Sequence, residues 1–299
     1  PWGGYSGGSI PPSPTKMKKL SKNLYFDYAS TTPVDKKALK AMLPYFSEKF
    51  GNSSSLHSFG HEAKKALDQS RKIIAKTLNA KPNEIIFTSS ATESNNLALK
   101  GIAFANQKKS HIIISAIEHD CVLNSAKYLA QNGFKVEFAP VDEFGVVDLK
   151  KLEEMITKDT ILVSIMHSNN EIGTLEPIEE IGKICREKGV LFHTDACQSF
   201  GKMPINVPKL NIDLLTASSH KIYGPKGIGS LYIRKGVKLD NFIHGGAQER
   251  NKRAGTESVQ NIVGFGKAVE LVSQEFDDKV KKLVGLRDRF INGIKANIE

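Results

Sequence analysis

The residue with the clearest chemical potential is Lys221, in the run SSHKIYGPKGIGSLYIRK over residues 218–235. It lies in a turn between two apolar stretches and is followed by Tyr-Gly-Pro and two further glycines. A solvent-facing lysine gains nothing from so constrained a backbone. A lysine amine desolvated in a cleft is a nucleophile toward carbonyl carbon and forms a Schiff base.

What such an amine does depends on its company. An aldehyde cofactor such as pyridoxal phosphate needs a carboxylate for its ring nitrogen, a donor for its phenolate oxygen, a surface for its ring face and a cradle for its phosphate. Asp195, at the end of the apolar run VLFHTDA, is a candidate for the carboxylate, and Gln198 just beyond it for the donor. The turn SSATESNN reads as a strand-to-helix junction, where free N–H groups and the helix dipole favour a phosphate; Thr92 adds a hydroxyl. His119, after the run HIIIS, can stack on a planar ring. Each also has a plainer reading: a surface lysine, a strand-end residue, a helix N-cap without a ligand, a loop histidine. Taken singly, none is specific.

The elements that must position these residues follow from the pattern. From about Asn23 onward, β-type runs alternate with longer helical ones: EIIFTSS leads into ATESNNLALKGIAFANQ, HIIIS into CVLNSAKYLAQNG, and KVEFAPV towards DLKKLEEMI. TILVSIMH, VLFHTDA and IDLLTAS extend the series. Buried strands separated by amphipathic helices predict an α/β fold with a mainly parallel sheet and helices on both faces. Such sheets hold ligands beyond the carboxyl ends of their strands. The residues expected at that rim are 89–92, 118–119, 169–170, 195–198 and 218–221, nearly all polar or ionisable. Residues 257–299 read as two helical stretches whose apolar spacing predicts core or interface packing.

Composition narrows the class. With 299 residues the chain can bury a large core, and 40% hydrophobic with 25% charged residues excludes a disordered or fibrous protein. The net charge of +10 comes from lysines scattered over predicted helices such as HEAKKALDQSRKIIAKTLNA, which reads as a solvated surface rather than a nucleic-acid face. Three cysteines, Cys121, Cys185 and Cys197, are too few and too dispersed for a disulfide framework or a zinc site. No metal is expected, and a reducing compartment, cytoplasmic or an organellar matrix, fits. No apolar run reaches membrane-spanning length. Residues 1–22, rich in Gly, Ser and Pro, read as a flexible leader, with Met17 a candidate native start.

Order and spacing make the set specific. YFDYASTTPVD, FGNSSSLHSFG, IIFTSSATESNNLALKG, IEHDCVLNSAKYL, TILVSIMHSNNEIGTLEPI, HTDACQSFGKMPI, SSHKIYGPKGIGSLYIRK and HGGAQERNKRAGTES follow one another over residues 25–258. In this order they closely resemble the cysteine desulfurases of the nitrogen-fixation and iron–sulfur-assembly type, which are fold-type I pyridoxal phosphate enzymes of the class V aminotransferase kind. The resemblance implies a cofactor-binding large domain over residues 51–257. Residues 23–50 would contribute to a second, small domain that is incomplete, and the helices of residues 258–299 would lead into it. Ser90 and Ala247 depart from glycines common in the family.

Roles follow from the same resemblance. Lys221 would carry the cofactor and move the proton at the substrate α-carbon; His119 would stack on the ring and assist proton transfer. Asp195 would pair with the ring nitrogen and Gln198 with the phenolate oxygen. Ala91, Thr92, Ser218 and His220 would hold the phosphate, with Thr256 reaching the phosphate of the neighbouring subunit in a homodimer. Asn170 would lie beside the cofactor and help place the substrate carboxylate. The implied reaction converts L-cysteine to L-alanine and an enzyme-bound persulfide, whose sulfur passes to an iron–sulfur scaffold or another acceptor protein. The family nucleophile is a cysteine in the carboxyl-terminal part, which also brings an arginine for the substrate carboxylate. This sequence ends before either position, so the chain is expected to be inactive alone. Cys185, in the amphipathic stretch IGKICREKG, reads as a packing residue. Other readings are a selenocysteine lyase or an aminotransferase of the same fold, or a non-catalytic cofactor-binding protein that dimerises and docks assembly factors.

Overall fold

The computed structural model describes residues 24–106 and 108–298. The expected leader over residues 1–22, with Met17, lies outside them. Seven short runs form one sheet: β1 (Ile85–Thr88), β2 (His111–Ser115), β3 (Lys135–Ala139), β4 (Thr160–Ser164), β5 (Leu191–Asp195), β6 (Leu214–Ser218) and β7 (Gly229–Ile233). Their spatial order is β1-β7-β6-β5-β4-β2-β3. All neighbours pair in parallel except β7, which runs against both β1 and β6. The connection over residues 219–228 is too short for the crossover that a parallel return requires, so β7 folds back beside β6 in the opposite sense. The other six strands point their carboxyl ends to one rim.

Ahead of the sheet lie α1 (Lys36–Met42), α2 (Pro44–Ser47) and α3 (Ser58–Thr77). Next come α4 (Ala91–Ala105) after β1, α5 (Asp120–Gln131) after β2, α6 (Leu149–Met155) after β3 and α7 (Ile178–Lys188) after β4. The last helices are α8 (Gln248–Asn251), α9 (Val259–Gln274) and α10 (Phe276–Asn297). Among the described residues, no helix is long and apolar enough to cross a membrane.

The period-2 alternation of the strands divides the core between the two faces. Ile86, Ile112, Ile114, Leu162 and Leu231 pack with Leu97 and Ile102 of α4 and Val122 and Leu129 of α5. Their alternates Phe87, Ile113, Val163, Phe192, Leu215 and Tyr232 meet Leu67 of α3, Ile181 and Cys185 of α7, and Phe265 of α9. Cys185 is thus a buried packing residue, as its helical pattern predicts. The two terminal helices part company. α9 buries its apolar face, whereas α10 buries no residue and leaves Leu283, Leu286 and Phe290 exposed. Core packing therefore holds for α9 alone, because helical spacing marks an apolar face without saying what covers it.

The segment before α1 crosses the rim and docks on the turn after β6. Thr32 donates to the His220 carbonyl from both its N–H (3.0 Å) and its hydroxyl (2.9 Å). Tyr223 N–H donates to the Thr32 hydroxyl at 2.8 Å, and Asp35 N–H to the Tyr223 carbonyl at 2.8 Å. Tyr223 has φ +65°, an uncommon conformation for a bulky residue, and these bonds hold its backbone on both sides.

Candidate active site

Beyond the strand ends lies a cavity of about 460 Å³, a volume within the ordinary range for small-ligand sites. The chain after β1 brings Ser90, Ala91 and Thr92 to it, and that after β2 brings His119 and Cys121. Met166, Ser168 and Asn170 follow β4; Asp195, Cys197 and Gln198 lie at the end of β5; Ser218, His220 and Lys221 lie at the end of β6. Asp27, Ala29 and Ser30 of the docked amino-terminal segment close one side. All the expected site residues except Thr256 line this one cavity. Thr256 sits in a separate depression with Arg253 and Gly227 and is exposed.

Lys221 ends a short 3-10 turn, residues Ser219–Lys221, that continues directly from β6. Its Nζ donates to the carbonyls of Ala29 (2.7 Å) and Ser30 (2.8 Å). Gln198 shares the Ala29 carbonyl through Nε2 at 2.9 Å, while its Oε1 accepts from Lys202 Nζ at 3.1 Å. The amino-terminal turn is therefore pinned by two side chains of the site. Asp195, only 5% exposed, accepts from Cys197 N–H at 2.9 Å on Oδ1 and from Asn95 Nδ2 at 2.6 Å on Oδ2.

Helix α4 starts at the cavity with Ser90 as N-cap, its hydroxyl accepting from Glu93 N–H at 3.1 Å. The N–H groups of Ala91 and Thr92, in the first turn, have no carbonyl one turn back to reach, which leaves them for an anion. Strand β7 passes directly behind this turn. A Cβ at Gly229 would stand 2.7 Å from the Ser90 carbonyl carbon and 2.9 Å from Ala91 N, so only glycine fits. The turn itself is braced by Glu93, which accepts from Ser89 N–H at 2.8 Å and pairs with Arg253 at 2.9 Å.

Arg253 belongs to the loop that carries Thr256, and that loop is anchored again at its start. Glu249, in α8, forms a two-pronged ion pair with Arg71 of α3, at 2.7 and 2.8 Å, and accepts from Phe87 N–H at 2.9 Å. Both charges are 4% exposed. Glu249, Arg250 and Asn251 all have positive φ, a left-handed run that the buried pair and the β1 backbone together hold in place.

Burial sets the electrostatics around the cavity. Glu118, next to His119 in the chain and buried, accepts on Oε1 from Ser115 Oγ (2.9 Å) and Met166 N–H (2.6 Å), while its Oε2 has no partner. Desolvation, with the Asp195 charge second, pushes its carboxyl up to about 8, so it is protonated at neutral pH. His193 of β5 is buried between Ser164 and Thr216 and is pushed down to about 4, hence neutral. At the rim, His220 is lowered first by burial and then by the charges of Lys221, Lys226 and Lys202. Such a concentration of positive charge suits a phosphate. His119 caps α5, its Nδ1 accepting from Cys121 N–H at 3.2 Å and lying 3.1 Å from Cys121 Sγ. Burial pushes the Cys121 thiol up to about 12, with the Asp195 charge adding to it, and Cys185 likewise to about 12; Cys197 is also raised by burial. None of the three is poised as a thiolate.

Three participants, Asn95, Ala29 and Ser30, escaped the sequence reading. Asn95 carries a signal that was available: it shares a helix face with Leu99 and Ile102, all fully buried, and a polar residue on such a face needs a partner. The carbonyls of Ala29 and Ser30 carry none, since any residue supplies a carbonyl.

The fold and this rim define a class. A mainly parallel sheet with a lysine after one strand, a carboxylate at the end of its neighbour and a helix amino-terminus facing both is the arrangement of fold-type I pyridoxal phosphate enzymes, and residues 24–297 match the aminotransferase class-V family. The chain is 52% identical over 280 residues to the cysteine desulfurase IscS of Dictyoglomus turgidum, covering 93% of this chain and 71% of that protein. To the cysteine desulfurase IscS of Methanosarcina thermophila it is 54% identical over 275 residues, 92% of this chain and 68% of the relative. Among solved structures, a NifS-like protein superposes with a TM-score of 0.90 at 44% identity, covering 92% of this chain and 76% of that one. SspA, solved in complex with cysteine, superposes with a TM-score of 0.81 at 49% identity over 82% of this chain and 72% of its own. The chain belongs to the cysteine desulfurase family.

Proposed function

We propose that the cavity binds pyridoxal 5'-phosphate and that the chain acts on L-cysteine in a desulfurase reaction. The observation that carries this reading is that Lys221, the Asp195–Gln198 turn and the amino-terminus of α4, from three separate stretches of chain, meet at one cavity. The residues present fit the group: a buried carboxylate, an amine, an amide donor and free helix N–H groups are the donor set it requires. When bound, the cofactor supplies a ring that draws electrons from the substrate α-carbon.

The chain's own residues do the rest. Lys221 would bond to the cofactor through Nζ, leaving the Ala29 and Ser30 carbonyls, and would then move the proton at the substrate α-carbon. Asp195 would pair with the ring nitrogen. Gln198 would donate from Nε2 to the phenolate oxygen, with Lys202 on its Oε1 fixing which way the amide faces. His119 would stack on the ring, and the donors at its Nδ1 leave Nε2 to carry a proton. Ala91, Thr92, Ser218 and His220 would hold the phosphate, and Asn170 would help to place the substrate carboxylate. Thr256, outside the cavity, would reach the phosphate site of a second copy in a homodimer. We assign the cofactor domain to residues 51–257, with residues 23–50 contributing to a smaller unit and the helices of residues 258–299 leading from the sheet, on which α9 packs, towards it.

Sulfur that leaves the cysteine β-carbon needs a thiolate. Cys121, Cys185 and Cys197 are all held as thiols by burial, so the sulfur would go to a thiolate outside these residues and then to an iron–sulfur scaffold or another acceptor. The test is the absorption spectrum of the chain and of Lys221→Ala with added pyridoxal phosphate, before and after cysteine. A visible band that needs Lys221 and shifts with cysteine is the expected result. No band in folded wild-type chain would overturn the cofactor reading, and cysteine-dependent sulfide release at the rate of a complete desulfurase would overturn the thiol argument.

A further inference from the structure

Asn95 lies one turn into α4 and is fully buried. It divides the two protons of Nδ2 between Asp195 Oδ2, at 2.6 Å, and Cys121 Sγ, at 3.0 Å. Its Oδ1 is buried without a partner. Turning the amide over would set a lone-pair oxygen against the Asp195 carboxylate, so that carboxylate dictates the orientation even though an acceptor goes unsatisfied. The other Asp195 oxygen is held by Cys197 N–H at 2.9 Å. With one N–H donor on each oxygen, the carboxylate plane cannot turn freely. Cys121 extends the chain of contacts, since its Sγ lies 3.1 Å from His119 Nδ1.

We infer that Asn95 is a positioning residue that aims Asp195 at the ring nitrogen of the cofactor and, through Cys121, steadies His119 over the ring. The inference rests on the cofactor site proposed above. It gives α4 two tasks: the first turn faces the phosphate, and the next turn aims the partner of the ring nitrogen. One rigid helix then sets the separation between the two ends of the cofactor, which is how a site is pre-organised.

Asn95→Asp keeps the shape but sets a second carboxyl against Asp195. The two would share a proton, and Asp195 would then compete for its own charge when the ring nitrogen needs it. Asn95→Ala removes the donor altogether. Each full-length variant is titrated with pyridoxal phosphate, reading affinity and the absorption maximum of the bound cofactor, and the cofactor-free proteins are melted in parallel. The expected result is an affinity loss of about tenfold or more in both variants, from the lost charge-assisted hydrogen bond, with a shifted absorption maximum. Wild-type affinity and an unmoved maximum in either folded variant, with or without a lower melting temperature, would reduce Asn95 to a structural role and overturn the inference while the cofactor reading stands. Should Asn95→Asp fail to fold, Asn95→Ala makes the same comparison. A wild-type chain that takes up no cofactor would remove the functional reading and this inference with it.

Discussion

Replacing Glu118 by glutamine should change how stability depends on pH. Glu118 is 5% exposed, and burial followed by the Asp195 charge pushes its carboxyl from 4.5 up to about 8. Between those values the folded chain keeps a proton that the unfolded chain has released. The contribution of that proton is whole below pH 4.5 and is lost as pH rises towards 8. The loss runs at about 1.4 kcal/mol per pH unit, about 5 kcal/mol over the whole interval. Glutamine has nearly the same shape, can accept from Ser115 Oγ and Met166 N–H as Glu118 does, and carries no titrating proton. Urea unfolding of both proteins between pH 5 and pH 8 is the assay, because subtracting one stability curve from the other cancels most of the remaining titrating groups. Glu118→Gln should gain on the wild type by about 1.4 kcal/mol for each unit that pH rises. Parallel curves over that range would mean that the fold tolerates an ionised Glu118, and the desolvation argument would be wrong.

Two further outcomes follow from the anchors around the site. Arg71→Met leaves Glu249 charged and buried, so the urea midpoint should fall by the equivalent of about 3–5 kcal/mol, with much of it recovered in Arg71→Met/Glu249→Gln; a loss that the second substitution fails to relieve would show that packing, not the charge, is what Arg71 supplies. Gly229→Ala forces a Cβ against backbone atoms of the Ser90–Ala91 turn that cannot swing aside, costing about 1–3 kcal/mol. It should weaken binding of pyridoxal phosphate far more than binding of pyridoxal, and equal losses for the two would move the phosphate away from α4.

Much of this architecture was legible because it is local. Buried runs such as IIFT and HIIIS announce strands by their apolar content, and the polar residues just after them must reach the rim once the strands are parallel. Ser90 at the start of α4 and His119 at the start of α5 are readable from strand-to-helix junctions. The reversed direction of β7 was legible only from a loop length, and the bare face of α10 was not legible at all, since an apolar stripe is the same sequence whether covered or exposed.

By itself the sequence determined which residues carry chemistry and in what order they reach the sheet edge, because strand and helix periodicities and capping are properties of neighbouring residues. Only the tertiary structure decided how those residues are held. Lys221 rests on carbonyls of Ala29 and Ser30, Asp195 is aimed by Asn95, and the Thr256 loop is fastened by Arg71 and Arg253. Each of these contacts joins stretches far apart in the chain. Their existence depends on strand order and on the direction a side chain takes from a packed helix, and neither quantity is written in any local pattern.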